Sequence, residues 1–333
     1  MASHNDTVFA FGSNGSGQLG LSHFEDISTP EQSSLSGCTV KQIAAGGNHT
    51  LMLSEDGNVK LQDWRVAQLS ATWNASMLLL QSGKVLVCGE GQNGELGLGS
   101  EISHVAQPQI APNFPPGDTT IIQITSCMAH SVTVLSNGEV WGWGNGRQGQ
   151  LGEPAEIVWS PRQIQGLTFS AAKVVCGKDF TCVFGNRRES GQVAMFGPKR
   201  DRFDLHLNLP SMVVPGWKDV ATSWGSIYIL RDDGELLGFG RNDHGQLPPP
   251  DLPPIEAIAA GSEHCLALTK AGKVLAWGWG EHGNCGEPTD SNGDVKGRWN
   301  EVEVPYSVRA VFAGCATSLI VTSAHIEHSG GQG

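Results

Sequence analysis

Three histidines recur at one register of the chain and are its first candidates for chemistry. His49 closes Gly46-Gly47-Asn48-His49, His130 closes Cys127-Met128-Ala129-His130, and His264 closes Gly261-Ser262-Glu263-His264. A histidine in such a place can ligate a metal or act as a general base. Recurrence at one position of a repeated phrase argues instead for a repeated hydrogen bond that holds the segment. The eight cysteines form no Cys-x-x-Cys pair. Most lie in apolar, strand-like runs, where free Cys behaves as a small buried hydrophobe. No nucleophile elbow, phosphate loop or paired metal-ligand spacing is present. The chain is therefore expected to be non-enzymatic, with no catalytic residue, cofactor or metal.

Binding is expected where the repeated phrase is broken. In register, the first variable tip residue is Gly47, Trp73, Met128, Lys178, Trp224, Ser262 or Cys315. The second is Asn48, Asn74, Ala129, Asp179, Gly225, Glu263 or Ala316. Two tryptophans and a methionine at these positions have no packing duty that the other units share, and Trp and Met are favoured interface anchors. Trp73, Asn74, Met128, Lys178, Asp179, Trp224 and Glu263 are the candidate partner-binding residues. Trp73 and Trp224 are the expected apolar anchors, with Asp179 and Glu263 on a polar rim. The competing expectation is that both tryptophans fold down and plug a central channel.

Those tips must be positioned by short strands. Around each tip an apolar strand enters and a second leaves. A turn such as Asp56-Gly57, Asn137-Gly138 or Asp233-Gly234 then closes the hairpin, because glycine supplies the positive φ that the turn requires. Alternation with period two on both sides predicts β-strands. A second phrase follows in most units, Phe11 to Gly20, Cys88 to Gly97 and Trp143 to Gly152, with worn copies at Phe239 to Leu247 and Trp279 to Gly286. Successive tips lie mostly about 40 to 55 residues apart, the range of propeller blades. Seven tips predict seven units. The interval between the first and second tips is short, because Lys60-Leu61-Gln62-Asp63-Trp64 replaces the Gly-rich phrase. The last unit ends at Val321-Thr322 with no following Trp-Gly strand, and the chain begins with an orphan strand, Val8-Phe9-Ala10-Phe11. A ring closed by that first strand explains both facts and removes exposed sheet edges. The expected fold is all-β, a seven-bladed β-propeller over residues 1–323, followed by a flexible tail at 324–333.

Composition bounds the partners. Charged residues are 16% of the 333, and the net charge is -12. Nucleic-acid binding calls for clustered Lys and Arg. The basic cluster Lys199, Arg200 and Arg202, with Arg187 and Arg188 upstream, is interleaved with Glu189, Asp201 and Asp204, as solvated loop charges are. No apolar run approaches membrane length and no signal peptide opens the chain. A cytoplasmic and nuclear location is expected. Trp141, Trp143, Trp277 and Trp279 alternate with glycine and are expected to pack between blades. Pro248 to Pro254 predicts a stiff loop. The polar stretch 289–299 is expected on the side of the Gly-rich phrases, away from the tips.

The two phrases together resemble the regulator-of-chromosome-condensation repeat family. Trp141-Gly142-Trp143-Gly144-Asn145 and Trp277-Gly278-Trp279-Gly280 carry the first half of its signature, and Gly46 to His49 and Gly261 to His264 the second. The resemblance spans about residues 8–322 and implies a seven-bladed propeller. The opening Val8-Phe9-Ala10-Phe11-Gly12-Ser13-Asn14-Gly15 resembles the small fungal members of that family, the alpha-tubulin suppressor or killer-toxin-insensitivity propellers. That resemblance implies a heterodimer with a small zinc-binding protein of diphthamide synthesis and, through it, links to Elongator and tRNA wobble-uridine modification. The alternative is guanine-nucleotide exchange on a small GTPase. In the family's Ran exchange factor the tips carry acidic and His residues that engage the GTPase. Here the matching positions are mostly not acidic, Asp179 and Glu263 excepted.

Overall fold

A computed structural model describes residues 5–57, 64–188, 191–198, 202–203, 205 and 214–323. Its elements are short antiparallel strands. They run β1 (Thr7–Gly12), β2 (Ile27–Gln32), β3 (Val40–Ala45), β4 (Thr50–Ser54), β5 (Val66–Ala71), β6 (Ala75–Leu80), β7 (Val85–Glu90) and β8 (His104–Ile110). Then come β9 (Ile121–Cys127), β10 (His130–Leu135), β11 (Val140–Asn145), β12 (Ile157–Gln163), β13 (Ala171–Cys176), β14 (Thr181–Gly185) and β15 (Val193–Phe196). The rest are β16 (Trp217–Thr222), β17 (Ser226–Arg231), β18 (Leu236–Gly240), β19 (Ile255–Ala260), β20 (His264–Thr269), β21 (Val274–Trp279), β22 (Asp294–Val302), β23 (Val308–Ala313) and β24 (Thr317–Thr322).

Each tip and its Gly-rich phrase organise one sheet. β5 to β8, β9 to β12 and β19 to β22 are four-stranded meanders, and β13 to β15 and β16 to β18 are three-stranded. The sheet β2-β1-β24-β23 joins both ends of the chain, with Val8 opposite Val321. The N-terminal strand thus completes the last sheet, as the orphan strand predicted. These six sheets are propeller blades. β3 and β4 form a two-stranded hairpin. The sequence expectation of seven blades is corrected to six blades and a hairpin among the described residues. The strand expected to follow Asp56-Gly57, including Lys60 to Asp63, falls outside those residues, as do the tail 324–333 and the cluster members Lys199 and Arg200.

The innermost strands neighbour one another in a closed circuit, β3, β5, β9, β13, β16, β19, β23 and back to β3. Side chains tie these strands together. The Gln42 amide donates to Leu69 O and accepts from Leu69 N, both at 2.8 Å. Gln123 does the same to Val174, at 2.8 and 2.9 Å. The indoles of Trp143 and Trp277 are fully buried. They donate across to the preceding blade, to Glu95 O at 2.9 Å and Gln246 O at 3.0 Å. They pack between blades, as their alternation with glycine predicted. Gly144 permits the close approach: its φ is 105°, and a Cβ there would stand 2.4 Å from Ala129 O. The Pro248 to Pro254 segment contains no strand, which suits residues without a backbone N–H.

Candidate functional site

In an antiparallel meander the first and third connections leave from the same end of the sheet. The tips and the Gly-rich loops therefore share one face. Backbone bonds join them: Asn145 N to Ala129 O at 2.8 Å, Arg241 N to Gly225 O at 2.9 Å, and Trp279 N to Glu263 O at 2.9 Å. The expectation that the loop at 289–299 lies away from the tips is thus corrected: Gly280 N bonds Gly293 O at 2.8 Å, beside the tip that carries Glu263.

Backbone bonds link the tips into two arcs around the ring of inner strands. Gly47 N donates to Trp73 O and Trp73 N to Met128 O. A second arc runs from Lys178 N to Trp224 O, Trp224 N to Ser262 O and Ser262 N to Gly314 O. The two arcs end at the tips that hold the positive-φ residues Met128 (45°) and Ala316 (51°), a conformation that costs a side-chain-bearing residue free energy.

Inside the ring lies a cavity of about 260 Å³ lined by six of the seven tips and, in the fourth unit, by Val175 and Cys176 at the end of β13. Trp73 and Trp224 come from different arcs and meet over it, ring centroids 6.0 Å apart and tilted by 40°. Both stay half-buried. The indoles thus span the mouth without being withdrawn from solvent. Lys178 is exposed, with Nζ 5.4 Å from the Trp224 ring centroid. Met128 is half-buried beside Trp73, and Asn74 is exposed next to them, both lining a neighbouring cavity of about 310 Å³. Asp179 lines a further cavity next to Trp224.

Glu263 departs from its expected place. It is 4% exposed, so it does not stand on the rim. Its carboxylate accepts from Arg241 and, at 2.9 Å, from Gln246 Nε2. Burial raises its pKa, against the pull of Gln246 and Arg241. Arg241 also binds Asp243, whose pKa that hydrogen bond lowers to about 2.

The recurrent histidines are structural latches. His49 Nε2 meets Ser76 Oγ at 3.1 Å, His130 Nε2 meets Thr181 Oγ1 at 3.1 Å, and His264 Nε2 meets Ser318 Oγ at 3.0 Å. Each bond crosses to the next unit, one residue past its tip. Burial depresses the imidazoles, to about 4 for both His130 and His264. The sequence carried a signal for these partners: a hydroxyl stands at that position in each unit that follows a histidine. Cys127, Cys176 and Cys315 line the central cavity, but burial raises all three thiols, Cys127 to about 12. Neutral thiols are poor nucleophiles. No group of three or more His, Cys, Asp or Glu that could hold a metal occurs among the described residues.

Comparison with known proteins places this geometry. The regulator of chromosome condensation (RCC1) repeat matches residues 5–53 and 137–184, and a second form of the same repeat matches 217–246 and 255–284. An RCC1 repeat-containing protein of Schizosaccharomyces pombe is 29% identical over 94% of this chain and 98% of its own length. The secretion-regulating guanine nucleotide exchange factor of Mus musculus is 26% identical over 92% of this chain and 81% of its own. Yeast RCC1 (Prp20), solved with Kap60, superimposes with a TM-score of 0.80 at 20% identity, over 98% of this chain and 90% of that one. Human WBSCR16 gives a TM-score of 0.78 at 19% identity, over 96% and 100%. With its repeated tips, its Gly-rich phrases and its ring closed by the N-terminal strand, the chain belongs to the regulator of chromosome condensation (RCC1) repeat family.

Proposed function

We propose that the protein is a non-catalytic, protein-binding propeller that docks a partner on its tip face, over Trp73 and Trp224. One contrast carries this reading. Trp143 and Trp277 are buried and spend their N–H groups on inter-blade carbonyls. Trp73 and Trp224 stay half-exposed, contact each other, and donate no side-chain hydrogen bond. An amphipathic ring with a spare donor is a common interface anchor. In this reading the β3–β4 hairpin is the inner half of a seventh blade, since β3 lies between β23 and β5 in the circuit. The seven tips then present one continuous surface.

The finer reading is an adaptor that pairs with a small zinc-binding protein of diphthamide synthesis and reaches Elongator through it, in the cytoplasm or nucleus. Its support is the resemblance of the opening residues to the small fungal propellers. A second reading is exchange of guanine nucleotide on a small GTPase, favoured by the name of the mouse relative.

Calorimetric titration with the zinc-loaded small protein tests the first. The Trp73→Ala/Trp224→Ala variant should bind at least about 30-fold more weakly, the loss of one hot spot of about 2 kcal/mol or more. Unchanged affinity in a variant that melts like the wild type refutes the anchor assignment. Accelerated release of a fluorescent nucleotide from a purified GTPase would move the function to exchange.

A further inference from the structure

Trp224 has a second wall. Beyond it, on the same face, lies a cavity of about 490 Å³ floored by Phe180, Met195, Phe203 and Trp279. This lies within the roughly 300–1,000 Å³ typical of pockets that bury most of a ligand. Three cations line it, Lys178, Arg202 and Arg241. Arg241 is committed to Asp243 and Glu263. Lys178 and Arg202 are exposed and make no ion pair. Each lies over a ring instead, Lys178 on Trp224 at 5.4 Å and Arg202 on Phe203 at 5.6 Å. Asp179 is the carboxylate that shares the lining without a salt bridge.

We infer that this pocket takes an acidic peptide segment of the docked partner, an apolar side chain on the aromatic floor and its neighbouring carboxylates against Lys178 and Arg202. The inference rests on the protein-docking reading and adds the chemistry of the bound segment. Three observations support it. An exposed cation over an aromatic face is held only weakly, so both remain available to a carboxylate. The chain carries a net charge of -12, so most of its surface repels an acidic segment and this rim selects it. Trp224 belongs to both the channel mouth and the pocket, so a partner seated on the tryptophan pair is continuous with an occupant here.

A random dodecapeptide phage library, selected on the full-length chain and counter-selected on Lys178→Glu/Arg202→Glu, tests the inference. Both side chains are exposed, so the variant should melt like the wild type. Selected peptides should pair carboxylates with a large apolar residue. In fluorescence anisotropy they should bind the variant at least about tenfold more weakly and lose affinity as salt rises through the physiological range. Peptides that are basic or neutral, that bind both proteins equally, or a library that yields no binder overturn the pocket. The docking reading fails separately, through the Trp73→Ala/Trp224→Ala titration. Peptides can bind when that titration fails, and the titration can succeed when peptides do not.

Discussion

Thr181→Val removes the hydroxyl that meets His130 and keeps the side chain's shape. Both residues are 0% exposed, and Nε2 and Oγ1 stand 3.1 Å apart. The substitution leaves a buried ring nitrogen without its partner, which costs about 1–3 kcal/mol. Full burial of both groups puts the expected loss at about 2–3 kcal/mol. Ser76→Ala opposite the half-buried His49 should cost about 1 kcal/mol, because solvent can substitute there. The protein contains its own control. In unit 4 the histidine position holds Phe180, and the following hydroxyl position holds Ile227, both in one apolar cluster. His130→Phe/Thr181→Ile copies that pair. It should be more stable than the sum of its single variants by about 1–2 kcal/mol. Guanidinium titration at neutral pH reads each midpoint and slope. A Thr181→Val midpoint equal to wild type, or strict additivity in the double variant, refutes the latch.

The same histidines set an acid limit. Their folded pKa of about 4 lies below the unfolded value of 6.5, so the unfolded chain takes up protons first as pH falls. Their contribution is intact above pH 6.5 and declines down to about pH 4, by about 3 kcal/mol for each. The His130→Phe/Thr181→Ile variant should lose about 3 kcal/mol less across that window in titrations at several pH values. Gly144→Ala combines a φ of 105° with a Cβ 2.4 Å from Ala129 O, whereas Gly99→Ala has a φ of 100° and open space. The first should cost well over 3 kcal/mol and the second about 1–2, in the same denaturant assay. Arg241→Met strands the buried Glu263 carboxylate and should destabilise by about 3 kcal/mol near pH 8. The loss should shrink near pH 5, because burial already raises Glu263 and protonation removes the stranded charge. Equal losses at both pH values would show that the carboxylate reaches water.

Much of the ring was legible because repeat positions reveal their duty by recurring. The orphan strand Val8 to Phe11 predicted closure onto the last unit, and Val8 does pair with Val321. The alternating tryptophans predicted inter-blade packing, and Trp143 and Trp277 supply it. The tip register brought the candidate residues to one face. Three things were not legible. Strand count within a unit depends on the outer strands, where the phrase is weakest; the first unit is a hairpin among the described residues. That tips and Gly-rich loops share a face follows from meander geometry and not from any residue type. The burial of Glu263 depends on Arg241 and Gln246, residues of the preceding unit's Gly-rich loop, and no local pattern announces that contact.

The departures from the repeat cluster, and repeat energetics make the cluster meaningful. In a repeat protein stability is close to a sum of unit and neighbour terms, so one arc can lose standard contacts while the others hold the ring. Histidine latches tie units 1 to 2, 3 to 4 and 6 to 7. Four interfaces lack them, 2 to 3, 4 to 5, 5 to 6 and 7 to 1, and of these only 4 to 5 and 5 to 6 are consecutive. The same units 4 and 5 show three strands among the described residues, unit 5 is followed by the proline segment, and the two supply Trp224, Lys178 and most of the aromatic pocket. Positions freed from the repeat's structural duty are the ones where a lineage can place binding chemistry without opening the ring. The tip face around units 4 and 5 is where substitutions should change partner affinity while barely moving the melting temperature. Substitutions at the latches should do the reverse.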